Sequence, residues 1–366
     1  MLDIIKEMEK LTGISALSGL EDKMITEVKN RFATFTDDVT VDRIGNVIAK
    51  FKGTDSRQPS MLVFAHVDEV GLMVSKVERD GYLRFERVGG VPAKTLPGQF
   101  VEVFPVGGGE GKLGFIGAYA HHLTPAEAKM KVPEHSEMYI DLGLSSAEEV
   151  YSLGINIGSA VTYKPNFQKM SDYRISSKTL DNRIGIYMLY ELGNFLKDNP
   201  PAGDVYLVGS VQEEFNIRGV IPAFVCLKPD AAICLDITPA CDTPDLKMRY
   251  DIALGRGPAI TQLNFHGRGT LGGIIPHPKL RMYIEQKAAE IGVPIQREVI
   301  IGVITDDAFA QLTGDKGVPT AHISIPMRYS HAPIETSDVR DIQNGVKLLI
   351  GVVAGFNSEL DLSRGI

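Results

Sequence analysis

The chain has 366 residues, 44% of them hydrophobic, and carries 38 Lys and Arg against 46 Asp and Glu, for a net charge of -8. That length supports a large buried core and two domains, and the acidic balance argues against a nucleic-acid surface, which wants a basic patch. No apolar run reaches the roughly 20 residues needed to span a bilayer, and Cys226, Cys234 and Cys241, an odd set with no secretory leader, read as reduced thiols of a cytoplasmic protein.

The opening stretch MLDIIKEMEKLTGIS spaces its apolar residues as an amphipathic helix and is no signal peptide. A second helix follows over residues 20–35, then strands over 39–42 and 46–51. MLVFA, residues 61–65, is a short apolar run of the kind a doubly buried strand shows.

From about residue 70 the texture changes. GLMVSKV, GYLRFERV, QFVEVFPV, KLGFIGAY, MYIDLGL and SAVTYKP recur between glycines and prolines, which predicts a small β-barrel or sandwich with tight turns. One helix with a capping signal is expected over residues 146–152.

Beyond residue 178 strands and helices alternate. A helix is predicted over 182–196, strands at VYLVGSV and AAICLDI, a helix over 279–291, a strand over 299–301, a strand at HISIP and a last helix over 338–356. Alternating βα units imply an α/β domain, a mostly parallel sheet sandwiched by helices. The division is then discontinuous: residues 1–69 and 165–366 form the α/β domain, and 70–164 form an inserted β-barrel.

Strand ends carry the chemistry. His66 and Asp68 follow MLVFA, Glu213 and Glu214 follow VYLVGSVQ, Asp236 follows AAICL, and His331 follows HISIPMRYS. Ligands collect at the carboxyl ends of the strands of open α/β sheets, so these residues should meet at one sheet edge, with Asp181 of TLDNR entering the same crevice at a helix start. Imidazoles and carboxylates without cysteine suit zinc, cobalt or manganese rather than a structural zinc knot. Five or six convergent ligands imply two divalent ions with one bridging carboxylate. Glu213, beside a ligating Glu214, is placed to act as general base, and Asp68, two residues from His66, to orient its imidazole. Singly, each residue has an ordinary reading: a histidine after a strand, a solvated Glu pair, a turn aspartate at 236, a helix cap at Asp181. The pattern lies in several separate strands ending in ligand-type residues.

At these motifs the sequence resembles the glutamyl, or tetrahedral (TET), aminopeptidases. The likeness runs through AHVDEVGLMV (65–74), LPGQFV (96–101), GFIGAYAHHLTP (114–125), TLDNRIG (179–185), VQEEFNIRG (211–219), LDITPACDTP (235–244), GVPTAHISIPMRYSHAPIE (317–335) and VRDIQNGVKLL (339–349). The resemblance implies a dinuclear aminopeptidase acting on short peptides. It makes Asp181 the bridging carboxylate, His66 and Asp236 the other ligands of one ion, and Glu214 and His331 those of the other. Glu213 becomes the catalytic base and Asp68 the carboxylate behind His66. It further implies a zinc-peptidase-like fold whose barrel mediates dimerisation and assembly, in a homo-oligomer built on dimers up to a dodecamer.

This chain departs from the family pattern at GVITDDAFA (302–310), where Ile304 and Asp307 replace small residues beside the expected substrate pocket, and at Phe215 and Asn216. Asp307 either favours a basic group or the free amine of the substrate, or merely caps a helix. His121 and His122 lie in the insertion, where they either reach a neighbouring subunit's site or are solvated loop histidines. The alternatives kept open are a related deacylase or carboxypeptidase, a non-catalytic assembly protein, and a glucanase, for which no dedicated acid and nucleophile pair is visible.

Overall fold

The computed structural model describes residues 2–247, 249–266, 272–302, 310–314 and 316–364. A mixed sheet of twelve strands runs through it. Its main path is, in spatial order, Val39–Val41, Val47–Phe51, Val205–Ser210, Met61–His66, Ala231–Pro239, Thr320–Arg328, Glu335–Asp338, Arg174–Ser177 and Gln168–Lys169. Ala259–Phe265, Gly273–Ile274 and Gln296–Ile301 branch from Thr320–Arg328. The four strands from Val205–Ser210 to Thr320–Arg328 are mutually parallel, and the flanks of the path are antiparallel.

Every residue of Met61–His66 is buried. Met61, Val63 and Ala65 join one core while Leu62 and Phe64 join another on the opposite face. Residues alternate between faces along a strand, so a strand covered on both sides must be apolar at every step. The larger core is closed by helices Ile4–Thr12, Asp22–Phe32, Leu180–Asp198, Pro278–Glu290 and Val339–Ala354, the smaller by Val220–Leu227. Burying each Leu, Ile, Val, Phe or Met side chain contributes about 1.5–3 kcal/mol, and the two cores together fix the strand ends on which the site stands.

Between Gly71 and Tyr163 a closed barrel forms from Gly71–Val77, Leu83–Val88, Ile140–Asp141, Lys112–Ile116, Phe100–Val103 and Ala160–Tyr163. It has its own core, including Leu72, Val74, Leu83, Phe85, Val101 and Ile140. The helix expected over 146–152 is Ala147–Ser152, with Ser146 Oγ accepting the Glu149 N–H at 3.3 Å.

Several elements escape the sequence pattern, among them the strand Ala259–Phe265. Arg174–Ser177 (RISS) and Glu335–Asp338 (ETSD) lack apolar alternation, and are strands because they pair with each other and with Thr320–Arg328. Val220–Leu227 is a short helix within a run apolar enough to pass for a buried strand. Ile304 and Asp307 lie outside the described residues. Among the described residues no helix is long and apolar enough to cross a membrane.

Candidate metal centre

Parallel pairing between Met61–His66 and Ala231–Pro239 ends at the Phe64–Cys234 pair. Two residues further on, His66 and Asp236 face each other across the opening, with Nε2 and Oδ1 3.8 Å apart. The Leu235 carbonyl freed by this splay accepts the Asn182 side-chain amide at 2.8 Å, which plugs the start of Leu180–Asp198 into the gap. A Cβ on Gly185 would come within 2.7 Å of Ala65 Cβ, so glycine there lets the helix approach the strand. At its start the chain is not yet helical: Asp181 has φ -76° and ψ 105°, and a cis peptide bond joins it to Asn182. The helical part is capped by Asn182, whose Oδ1 accepts the Gly185 N–H at 2.9 Å, while the Asp181 side chain turns into the crevice.

There its two carboxylate oxygens diverge. Oδ1 lies 3.1 Å from His66 Nε2, and Oδ2 lies 3.4 Å from His331 Nε2. His331 Nε2 is also 3.4 Å from Glu214 Oε1. A tetrahedral ion with bonds of about 2.0–2.1 Å keeps its ligand atoms roughly 3.3 Å apart, so both donor sets have the spacing of ligands about an ion. His66, Asp181 and Glu214 alone offer three donor atoms within 4.8 Å of one another. His66, Asp181, Glu213, Glu214, Asp236 and His331 all line one cavity of about 630 Å³. The donors fit divalent cations.

Asp68 stands behind this wall, fully buried. Its Oδ1 accepts the Glu213 N–H and its Oδ2 the Glu214 N–H, both at 3.0 Å, and Oδ2 also accepts Ser18 Oγ–H. His66 Nδ1 is 3.2 Å from the Asp68 carbonyl and 3.5 Å from its carboxylate. Both neighbours are acceptors, which fixes the proton on Nδ1 and turns Nε2 to the cavity. His331 has the same arrangement, with Nδ1 3.2 Å from the Gly90 carbonyl of the barrel loop. A Cβ on Gly90 would sit 2.7 Å from that nitrogen, so only glycine allows the contact.

Electrostatics matches a cation site. Burial opposes charge on His66 and His331, but the surrounding carboxylates, Asp181 foremost for His66 and Glu214 for His331, outweigh it and push both imidazoles well above their usual range. Burial pushes Glu214 upward, and the Asp181 charge adds to the push. Burial also opposes charge on Asp181, yet His331 and His66 hold it below the usual carboxylate range. Bound cations would supply the positive charge that these carboxylates favour. Backbone strain gathers here too: Thr179, Gln212, Asn216, Ile217, Tyr329 and His331 have φ between 53° and 65°, a costly region for residues with a Cβ.

Phe215 and Asn216 line the cavity, with Arg218 4.8 Å from the Phe215 ring centroid. His121 and His122 pack edge to face on the exposed barrel loop, and His121 lines a different cavity. Within one chain they do not reach the centre. Sequence reading passed over Glu335, which accepts the backbone N–H of Asp181 at 3.0 Å and of His331 at 2.8 Å. It also passed over the buried Lys178–Glu69 pair, 2.7 Å apart. The one sequence signal for either was an acidic or basic residue within a few positions of a ligand.

Comparison with known proteins gives the family and the fold. The model of the family described as M42 glutamyl aminopeptidase matches residues 45–348. A lysyl aminopeptidase of Pyrococcus furiosus is 34% identical over 94% of this chain and 94% of its own. An aminopeptidase of the archaeon Desulfurococcus kamchatkensis superposes with a TM-score of 0.92 at 35% identity, covering 99% of this chain and 98% of that one. The Pyrococcus horikoshii TET1 peptidase, described as assembling into a tetrahedron or a large octahedral shell, has a TM-score of 0.85 at 29% identity, over 96% and 100% of the two chains.

Proposed function

The chain belongs to the M42 glutamyl aminopeptidase family, a family of peptide-bond hydrolases, and from that premise we propose that it removes N-terminal residues from short peptides at a centre of two divalent ions. The observation that carries the dinuclear reading is the divergence of the Asp181 oxygens, each facing a different imidazole at 3.1 Å and 3.4 Å. Asp181 would be shared between the two ions, with His66 and Asp236 holding one and Glu214 and His331 the other. Two such ions, zinc by the donor chemistry with cobalt or manganese as substitutes, would polarise the scissile carbonyl and supply a nucleophile from water at neutral pH.

Glu213 has no ligand role in this scheme. It lines the cavity, nearly buried, and takes the proton of the attacking water before passing it to the leaving amine. Asp68 acts through others, holding His66 by its imidazole and the Glu213–Glu214 pair by their amides. Among the described residues Cys226, Cys234 and Cys241 form no disulfide, which fits a reducing compartment, and the cytoplasm is the location proposed. Relatives that form shells support a homo-oligomer assembled through the barrel of residues 70–164.

A panel of amino-acid anilides, with N-acetylated anilides and C-terminal substrates as controls, tests the reading. Activity should vanish on chelation, return with zinc, cobalt or manganese, and require a free amine. Glu213→Gln should keep the metal content and lower turnover by about 10²–10⁴-fold. A protein that takes up none of these metals and is inert on every anilide is not an aminopeptidase of this kind.

A further inference from the structure

We infer that Glu335 is a positioning residue that sets the distance between Asp181 and His331; the inference rests on the dinuclear reading above. Glu335 opens the strand Glu335–Asp338, is 2% exposed, and pairs in register with Ser177, just ahead of the segment that carries Asp181. Its carboxylate is divided between two backbone amides: Oε2 accepts Asp181 N–H at 3.0 Å, and Oε1 accepts His331 N–H at 2.8 Å.

Neither amide belongs to a helix or a strand ladder. Asp181 precedes the helical part of Leu180–Asp198, and His331 lies in a turn with φ 63°. A residue with a Cβ holds that left-handed conformation only when its surroundings impose it. The side chains of the same two residues converge, with His331 Nε2 and Asp181 Oδ2 3.4 Å apart. One rigid carboxylate thus joins the two backbones whose side chains must meet. The barrel loop completes the hold on His331, where the Gly90 carbonyl faces Nδ1.

The arrangement is electrostatically costly. A carboxyl group this deeply buried gives up the hydration that would stabilise its charge. An apolar side chain would fill the volume without that cost but would leave two buried N–H groups unpaired. The carboxylate is explained by what it holds.

Glu335→Gln keeps the shape but has one oxygen and one NH₂ group, so it accepts one of the two amides and turns donors on the other. With cobalt(II) as the probe, the full-length variant should retain its far-UV circular dichroism, bind the ion about 10–100-fold more weakly and show an altered visible absorption spectrum. Hydrogen exchange in the metal-free protein should be faster in the segment carrying His331 and unchanged in the core helices. A change confined to stability would mark Glu335 as structural only and overturn the inference. So would wild-type cobalt affinity, spectrum and exchange in a folded variant. If Glu335→Gln does not fold, the metal-free wild type decides: a protected His331 amide supports the inference, and exchange at the unstructured rate overturns it. A wild type that binds no cobalt, yet shows the exchange contrast, would refute the metallopeptidase reading and leave the clamp standing.

Discussion

His322 lies in the strand Thr320–Arg328, 1% exposed, with Nδ1 2.9 Å from Thr261 Oγ1. Thr261 Oγ1 also donates to Glu298 Oε1, to which Ser324 Oγ donates at 2.9 Å. Burial alone lowers the imidazole pKa to about 3 in the folded chain. In the unfolded chain it returns to its ordinary value near 6.5. Between those values the unfolded state binds a proton that the native state refuses. The contribution is therefore full above pH 6.5 and is lost as pH falls toward 3, at roughly 1.4 kcal/mol per pH unit. Urea unfolding of the metal-free protein should lose roughly 2 kcal/mol to this residue between pH 6.5 and 5. His322→Gln should flatten that part of the slope, whatever it costs at neutral pH. Equal slopes in the two proteins would mean that His322 is protonated in the native state.

The segments that carry the proposed ligands are held to one another by buried charges. Lys178 is fully buried, with Nζ 2.8 Å and 2.7 Å from the two Glu69 oxygens, and Glu69 also accepts the Ala16 N–H at 2.8 Å. Arg183, equally buried, donates to the carbonyls of Leu11, Val67 and Ile14. The loop after Met61–His66 is so tied to the segment entering Leu180–Asp198; the proposed ligands His66 and Asp181 lie in that strand's last residue and in that segment. Lys178→Met should strand the Glu69 carboxylate and cost about 3–5 kcal/mol, while adding Glu69→Gln should recover part of it. Thermal or chemical unfolding measures both. A single-variant loss below about 1 kcal/mol would show that water or another group takes over from Lys178. These pairs also mark the limit of what sequence reading reached. MLVFA, VYLVGSV, AAICLDI and HISIP were legible because a doubly covered strand is apolar at most of its steps, buried His322 and Ser324 being the exceptions in HISIP, and His66, Asp236 and His331 stood out where such runs end. Glu69, Lys178 and Glu335 did not, because a charge buried by its partner has the same letters as a charge in water. Their partners lie 109 and 154 residues away in sequence for Glu69–Lys178 and Asp181–Glu335, and the polar strand Glu335–Asp338 exists only through its neighbours.

On the scale of the whole molecule, the barrel is joined to the centre, since Gly89, Gly90 and Pro92 of its loop line the cavity. Its outer face is less polar than a solvated barrel should be. Along Phe100–Val103 and Lys112–Ile116, Val101, Val103 and Ile116 fill the interior, which leaves Phe100, Leu113 and Phe115 outside at 56%, 46% and 42% exposure. Phe100 and Phe115 are cross-strand partners, their ring centroids 6.4 Å apart. A strand with one face on a core ordinarily places polar residues on the other, and adjoining exposed rings mark a surface meant to be covered. Under the assembly proposed above, a second copy of this chain would cover it. Phe115→Glu would place a carboxylate in that contact without touching the barrel interior. Sedimentation velocity should show the wild type as an oligomer and the variant shifted to smaller species, with metal content and the monomer's circular dichroism unchanged. Because the barrel loop supplies the Gly90 carbonyl that faces His331, dissociation should leave the intrasubunit centre intact, and any fall in activity should appear in substrate handling before metal affinity. A variant that sediments with the wild type would place the subunit contact elsewhere on the chain.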